Sequence, residues 1–297
     1  MFQIKSLSKP VIENLFELNN GYVHSVFNNV VNVKQESMLI SIQNNTVPKG
    51  SLSMIVDEEV NFKKYTNRLG GKVQIKGSII TIGTMEFLIN EPEIWDPELK
   101  SFPKMYFSNK EALIKTIKNT ILINGKDSGI KDAVLKTLKK NTSQSHIEED
   151  ILFHRILSEV LNSLRNKELN RAAVEISNLI GIGIGLTPSG DDFLVGLISV
   201  LYIMKQKNSY IKSFYNLLKE EISKKVNKTT DVSRTYLLEA IDGRFSESFH
   251  NIYAALDSVN LEELYKSALS MMAVGHSSGT DGLCGILWGF YQLEYLN

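Results

Sequence analysis

The sequence predicts an α+β protein, with a β-rich N-terminal barrel or sandwich over residues 1–105 and an all-helical region over 106–297. Three observations carry that expectation. Up to about residue 100, short runs rich in β-branched residues alternate with turn residues. From Asn109 onward the apolar positions recur at helical spacing. A glycine-punctuated stretch, Gly181-Ile182-Gly183-Ile184-Gly185-Leu186-Thr187-Pro188-Ser189-Gly190-Asp191-Asp192, then turns into the apolar run that ends at Met204.

Residues 24–33 and 37–43 have strand composition, and 51–56 follows the Pro48-Lys49-Gly50 turn. Residues 72–76 and 78–82 flank Gly77, and 85–90 continues the series; strands at this spacing suggest a small barrel or a sandwich. Glu91-Pro92 and Trp95-Asp96-Pro97 are expected to break regular structure. Helical periodicity then takes over through Ala112, Leu113, Ile117 and Ile121, and again from Ile151 to Leu164. Residues 125–129 and 141–145 read as connectors, and 168–180 as a helix that delivers the chain into the glycine turn. Helices are further expected over 210–226, from the Thr229-Thr230-Asp231-Val232-Ser233-Arg234 cluster onward, and over 246–256, 261–272 and 279–296. No low-complexity linker divides the two parts.

The glycine stretch has a partner. Ser189-Gly190-x-Asp192-x-x-x-Gly196 matches Ser278-Gly279-x-Asp281-x-x-x-Gly285, the second copy preceded by Gly275-His276-Ser277. Two such copies suggest paired helix N-termini facing one pocket. Thr187 or Ser189 is suited to cap the first helix, and Pro188 to its first turn. A glycine turn feeding a helix start is a ready anion site. The expected ligand is a small anion held by backbone N–H groups at Ser189-Gly190 and Ser278-Gly279. Gly183 and Gly185 would admit it close to the main chain, Thr187, Asp191, Ser277 and Ser278 would line the site, and Arg234 would assist as a bidentate clamp. The bland reading stays open beside this one. Ser-x-x-Asp is close to a capping box, the glycines would only let helices pack, and Arg234 would form an ordinary ion pair.

Asp191, Asp192 and Asp281 allow three kinds of chemistry. They could hold Mg²⁺, a hard cation that prefers oxygen ligands. They could accept hydrogen bonds from amide N–H groups of a substrate, or act as general bases. His276 would move a proton, with a structural histidine as the equal alternative. No lysine lies between Gly181 and Leu201, so a nucleotide P-loop is not expected, and no His-x-x-x-His or cysteine cluster supports zinc.

Composition narrows the partners. The chain has 297 residues, enough for one large or two ordinary domains. Its 33 Lys plus Arg balance 33 Asp plus Glu, which argues against a nucleic-acid-binding surface. No apolar run reaches the roughly 18 residues of a membrane-spanning helix, and residues 1–10 lack the apolar core of a secretory signal. Cys284 is the single cysteine, so no intrachain disulfide can form. It is expected to be a buried, inert thiol. A cytoplasmic location follows as the default expectation.

At Gly185-Leu186-Thr187-Pro188-Ser189-Gly190-Asp191-Asp192-Phe193-Leu194-Val195-Gly196 the sequence resembles a bacterial family associated with the AllH-type subunit of oxamate carbamoyltransferase, from anaerobic allantoin breakdown. His24-Ser25-Val26-Phe27, Trp95-Asp96-Pro97, Thr230-Asp231-x-Ser233 and Gly275-His276-Ser277-Ser278-Gly279-x-Asp281 extend the resemblance over most of the chain. It implies exchange of a carbamoyl group among oxalurate, phosphate, oxamate and carbamoyl phosphate, with other carbamoyltransferase subunits taking part. It implies no role for an individual residue. Two further readings stay open: a Mg²⁺-dependent hydrolase of a small phosphorylated or amide substrate, and a non-catalytic binding or scaffold subunit.

Overall fold

In the computed structural model, residues 1–36, 38–65, 69–100, 106–139 and 148–292 are described. Ser37, the expected connector at 141–145, His146 and the end of the expected last helix lie outside them. Tertiary contacts divide the chain into two units, Met1–Glu98 with Arg244–Glu247, and Leu99–Gly243 with Ser248–Asn297.

The first unit is a nearly closed, barrel-like sheet. Its strands are β1 (Phe2–Ser8), β2 (Tyr22–Val26), β3 (Val30–Gln35), β4 (Met38–Asn44), β5 (Ser53–Val56), β6 (Val73–Lys76), β7 (Ile79–Ile82) and β8 (Met85–Trp95), with a short helix α1 (Lys9–Glu13) after β1. Across the sheet the order is β2-β3-β4-β5-β1-β8-β7-β6. Pairing is antiparallel except for β1 with β8 and β4 with β5. The two edges meet: Val23 N–H donates to Gly71 O at 2.8 Å, and Val73 N–H to Gly21 O at 2.7 Å. Meeting edges remove the exposed ladder groups that an open sheet must otherwise protect. Alternate residues such as Ile80 and Ile82 point inward, where Ile4, Val33, Ile40, Met54, Phe62 and Phe87 fill the interior.

Two strand expectations need correction. The run 24–33 is not one strand but β2 and β3, because the Asn28-Asn29 turn lets Phe27 N–H bond to Val30 O at 2.7 Å. Glu91-Pro92 does not end regular structure, since β8 continues to Trp95. Its pairing with β1 shifts register between Ile4 and Ser6, and Glu91 takes φ +48°, so the proline sits at an irregularity where no ladder N–H is needed.

The second unit is helical. Its elements are α2 (Tyr106–Asn124), α3 (Gly129–Lys139), α4 (Glu148–Arg165), α5 (Leu169–Ile176), α6 (Ser189–Met204), α7 (Ser209–Lys225), α8 (Asp231–Ile241), α9 (Glu247–Asp257), α10 (Leu261–Met272) and α11 (Ser278–Gln292), the start of α9 belonging to the first unit. The expected helix 168–180 is shorter than its pattern: α5 ends at Ile176 and a single 3₁₀ turn, Ser177–Leu179, leads on. Helices α6 and α11 are apolar nearly all round and lie at the centre. Their glycines set the crossing. A Cβ on Gly196 would stand 2.0 Å from Gly282 O, and one on Gly285 would stand 2.0 Å from Phe193 O. Phe193 meets Trp288 edge to face, with centroids 5.8 Å apart. Position 196 stands to 282 as 285 stands to 193, so the two sequence copies are related by a local quasi-twofold.

Candidate functional site

The crossing brings the two Ser-Gly-x-Asp turns together. Thr187 Oγ1 lies 2.7 Å from Ser278 Oγ, which joins the approach to α6 with the start of α11. Each turn is seated against the element before it. A Cβ on Gly190 would lie 2.1 Å from Leu179 O, and one on Gly279 1.8 Å from Met271 O. Only glycine allows that approach at both positions.

Each carboxyl takes the serine hydroxyl of the opposite Ser-Gly-x-Asp copy and, besides it, a hydroxyl from the approach to its own helix. The Asp192 carboxyl lies beside the hydroxyls of Ser278 and Thr187, and the Asp281 carboxyl beside those of Ser189 and Ser277. The expected capping box within each copy is therefore replaced by a bond to the opposite copy. Neither Thr187 nor Ser189 caps α6: Pro188 occupies the N-cap position, without a side-chain cap, and its carbonyl accepts from the Asp191 and Asp192 N–H groups. Thr187 turns to Ser278 and the Asp192 carboxyl instead.

Charge in this cluster is costly. Asp281 is fully buried, and burial raises its carboxyl to about 6, with Ser128, Ser189, Ser277 and more distant Lys131 pulling the other way. Burial first, and then the neighbouring Asp281 charge, push Asp192 well above the ordinary carboxylate range. Among the described residues, Oδ2 of Asp192 and Oδ2 of Asp281 are both buried without a hydrogen-bond partner. Buried polar atoms are otherwise nearly always satisfied, so two orphaned acceptors in one cluster are unusual.

Asp191 plays a different part. It is 1% exposed, accepts from Gly181 N–H at 2.9 Å through Oδ1, and takes the Thr229 hydroxyl on Oδ2. Both oxygens tie the glycine turn to the loop before α8, and burial still raises the carboxyl above its usual value. Among the described residues, no group of three or more His, Cys, Asp or Glu side chains is placed to hold a metal ion. The three aspartates considered for Mg²⁺ do not form such a group.

The glycine turn arches beside the pair. Gly183 takes φ +124°, and a Cβ there would meet Ser189 N at 2.5 Å, so only glycine fits. Gly185, at φ +91°, faces open space, and Ile184 between them is 84% exposed. The amides expected to cradle an anion are partly occupied: Gly190 N–H donates to Ile182 O at 2.9 Å, and Gly279 N–H to Val274 O at 3.2 Å. Arg234 pairs with Asp231 and reaches Asn227 Oδ1 at 3.4 Å, while its Nε is buried without a partner. His276 is exposed in the turn before α11, and no hydrogen bond or ion pair among the described residues joins it to Asp192 or Asp281. Cys284 is fully buried, and burial pushes its thiol upward.

Residues outside the motifs complete the site. Ser128, ahead of α3, accepts from Lys131 N–H at 3.3 Å and donates to Asp281 Oδ1 at 2.5 Å. Lys126 anchors the same loop, its amide bonded to Thr280 Oγ1 at 3.2 Å and its ammonium to Gly275 O at 2.7 Å. Tyr236 on α8 has its hydroxyl pushed to about 12 by burial and then by the Asp192 charge. The sequence signal for Ser128 was only that of a helix cap, and Tyr236 carried none.

Two family profiles match the chain. Residues 179–290 match the family described as oxamate carbamoyltransferase subunit AllH, and residues 3–93 match the AllH family N-terminal domain. A description as a subunit implies companion subunits. No solved structure matches the chain. Among the described residues, no helix is long and apolar enough to cross a membrane.

Proposed function

The chain belongs to the AllH family, and from that premise we propose that it is a subunit of a carbamoyltransferase acting on oxamate or oxalurate and carbamoyl phosphate in purine (allantoin) catabolism. Its ligand would sit where α6 and α11 begin. The observation that supports this location best is the convergence of the two Ser-Gly-x-Asp turns on two buried carboxyl oxygens that have no hydrogen-bond partner among the described residues.

In the direction from carbamoyl phosphate, the oxamate nitrogen attacks the carbamoyl carbon and the C–O bond to phosphate breaks. A C–N bond forms, and the nitrogen loses a proton. A carboxyl group raised toward neutrality is suited to take that proton and return it in reverse. The raised Asp192 and Asp281 pair fits this role better than His276, which stands apart and exposed. Half-buried Thr187, Ser189, Ser277 and Ser278 would orient the ligand through their hydroxyls. Gly183 and Gly185 would shape the approach, and Arg234 would hold a carboxylate or phosphate oxygen by exchanging its Asp231 contact. Asp191 would position the turn without touching the ligand.

The test is Asp192→Asn, assayed for carbamoyl transfer together with the companion subunits. Turnover should be lost while circular dichroism and melting temperature stay those of the parent protein. Undiminished turnover would remove Asp192 from the mechanism.

A further inference from the structure

The carboxyls of Asp192 and Asp281 are related by the quasi-twofold of α6 and α11, but their surroundings are not. Asp281 faces three hydroxyls, those of Ser128, Ser189 and Ser277. The direction of the Ser128 hydroxyl is fixed. Its oxygen accepts the Lys131 N–H at 3.3 Å in the first turn of α3, and its one proton goes to Asp281 Oδ1 at 2.5 Å. That length lies at the short end of O–H···O bonds, where hydroxyl-to-carboxylate bonds fall. Asp192 has two hydroxyls beside it, Thr187 and Ser278, and these lie 2.7 Å from each other. One of their two protons joins them, so one at most reaches the Asp192 carboxyl. Charge falls the same way. The Lys131 ammonium, bonded to Gly125 O at 3.1 Å and Asp127 Oδ1 at 2.7 Å, favours the ionised form of Asp281. The other titratable groups near Asp281 are Asp192 on α6 and Cys284 on its own helix, and the Lys126 ammonium is bonded to Gly275 O. Around Asp192 stand Asp281 on α11, Asp191 on α6 and Tyr236 on α8, none of them a cation.

We propose that the pair is divided in spite of its quasi-symmetry: Asp281 carries its single negative charge and accepts a proton, Asp192 keeps its own, and the Ser128–Lys131 turn is the positioning element that enforces the division. Donor count argues for it, since up to three hydroxyl protons can stabilise an anion at Asp281 and only one at Asp192. Burial weighs on both carboxyls, yet Asp281 stands at about 6 while Asp192 is held well above the ordinary range. Carboxyls in unlike surroundings part in this way into an acid and a base. The division rests on geometry, whereas the identity of the proton source rests on the carbamoyl-transfer reading. In that reaction, as the oxamate nitrogen attacks, its N–H bond breaks and an O–H bond forms on Asp281, and the reverse reaction returns the proton. The Asp192 O–H bond stays intact as a hydrogen-bond donor. Lys131 acts through Ser128 and through its charge.

Carboxyl ¹³C NMR titration of the full chain, with signals assigned through Asp192→Asn and Asp281→Asn, reads the division without substrate or companion subunits. Asp281 should titrate near pH 6, and Asp192 should remain protonated through that range. Lys131→Met should raise the Asp281 midpoint by about half a pH unit, and Lys131→Arg should restore it. Lys126→Met removes the cation bonded to Gly275 O on the same loop and should leave the midpoint in place. With the companion subunits present, the acidic limb of kcat/KM should move with the Asp281 midpoint. Coincident midpoints, or Asp192 ionising first, overturn the division. An Asp281 midpoint that ignores Lys131→Met, or moves as far in Lys126→Met, overturns the role of the turn. Should Lys131→Met fail to fold, Ser128→Ala puts the same question to the same turn. A divided pair in a protein without carbamoyl transfer overturns only the reading beneath it.

Discussion

Replacing Gly196 by alanine sets two effects of opposite sign against each other. In an open helix the change stabilises by about 1 kcal/mol, because glycine is the poorer helix former. Here the new methyl would stand 2.0 Å from Gly282 O and 2.9 Å from its carbonyl carbon. Comfortable contact lies at roughly 3.5 Å, so α6 and α11 must part by about 1.5 Å. Both sides of the clash are main chain, and no rotamer change relieves it. A gap of that size forfeits about half or more of the dispersion attraction across the facing side chains. Overpacking a dense interior costs about 1–3 kcal/mol, occasionally more. The clash outweighs the propensity gain, and a net loss of about 2 kcal/mol is expected. Urea unfolding followed by Trp288 fluorescence, in a Trp95→Phe background, reports the helical unit by itself. Gly285→Ala, its quasi-symmetric counterpart 2.0 Å from Phe193 O, should cost a similar amount. A midpoint that stays or rises in either variant would refute the backbone-to-backbone crossing.

The pH response follows from the sign of the carboxyl shift. Asp281 stands at about 6 in the folded protein against an ordinary 3.8, so the folded state holds this proton more tightly than the unfolded chain. Its stabilising contribution is complete below about pH 4 and is lost as pH rises through about 6, on the order of 3 kcal/mol in all. Asp281→Asn should flatten the fall in urea midpoint across that window; an equally steep fall would show that the shift lies elsewhere. Ser128→Ala removes a hydroxyl that lowers the Asp281 value, so a carboxyl ¹³C NMR titration should move upward, and an unmoved midpoint would break the assigned contact. Asp191→Ala strands Gly181 N–H and the Thr229 hydroxyl at a cost of about 2 kcal/mol or more. Limited proteolysis at the exposed Ile184 should accelerate in that variant, and unchanged cleavage would deny Asp191 its tethering role.

How far the sequence could be read depended on the kind of signal. Period-2 runs such as 79–82 announced strands because one face of a sheet is dry, and all-round apolarity at 193–204 announced a buried helix. Pro92 misled, because a proline is excluded from a ladder only where its N–H would be needed, and β8 has an irregularity at that point. The choice between barrel and sandwich was open, since it turns on whether β2 and β6 meet at Val23 and Val73, a contact far apart in the chain. At the site, the repeated Ser-Gly-x-Asp spacing marked two turns that the structure brings into contact. It also suggested caps within each copy, and the structure exchanges those hydroxyls between copies. Ser128 was illegible as a site residue, because a serine before a helix is an everyday cap.

By itself, the sequence determined the order of the two parts, the glycines at 190, 196, 279 and 285 that permit contact at backbone range, and the placement of acidic groups at two helix starts. Only the tertiary structure decided that those starts converge, that Asp191 faces away into Gly181 and Thr229, and that Asp192 and Asp281 each keep an unsatisfied oxygen. The physical reason is range. Periodicity and local sterics say which side of an element a residue occupies. Which groups satisfy a buried carboxyl depends on how distant elements pack, and that is set by the summed burial of both helices rather than by any short stretch of chain.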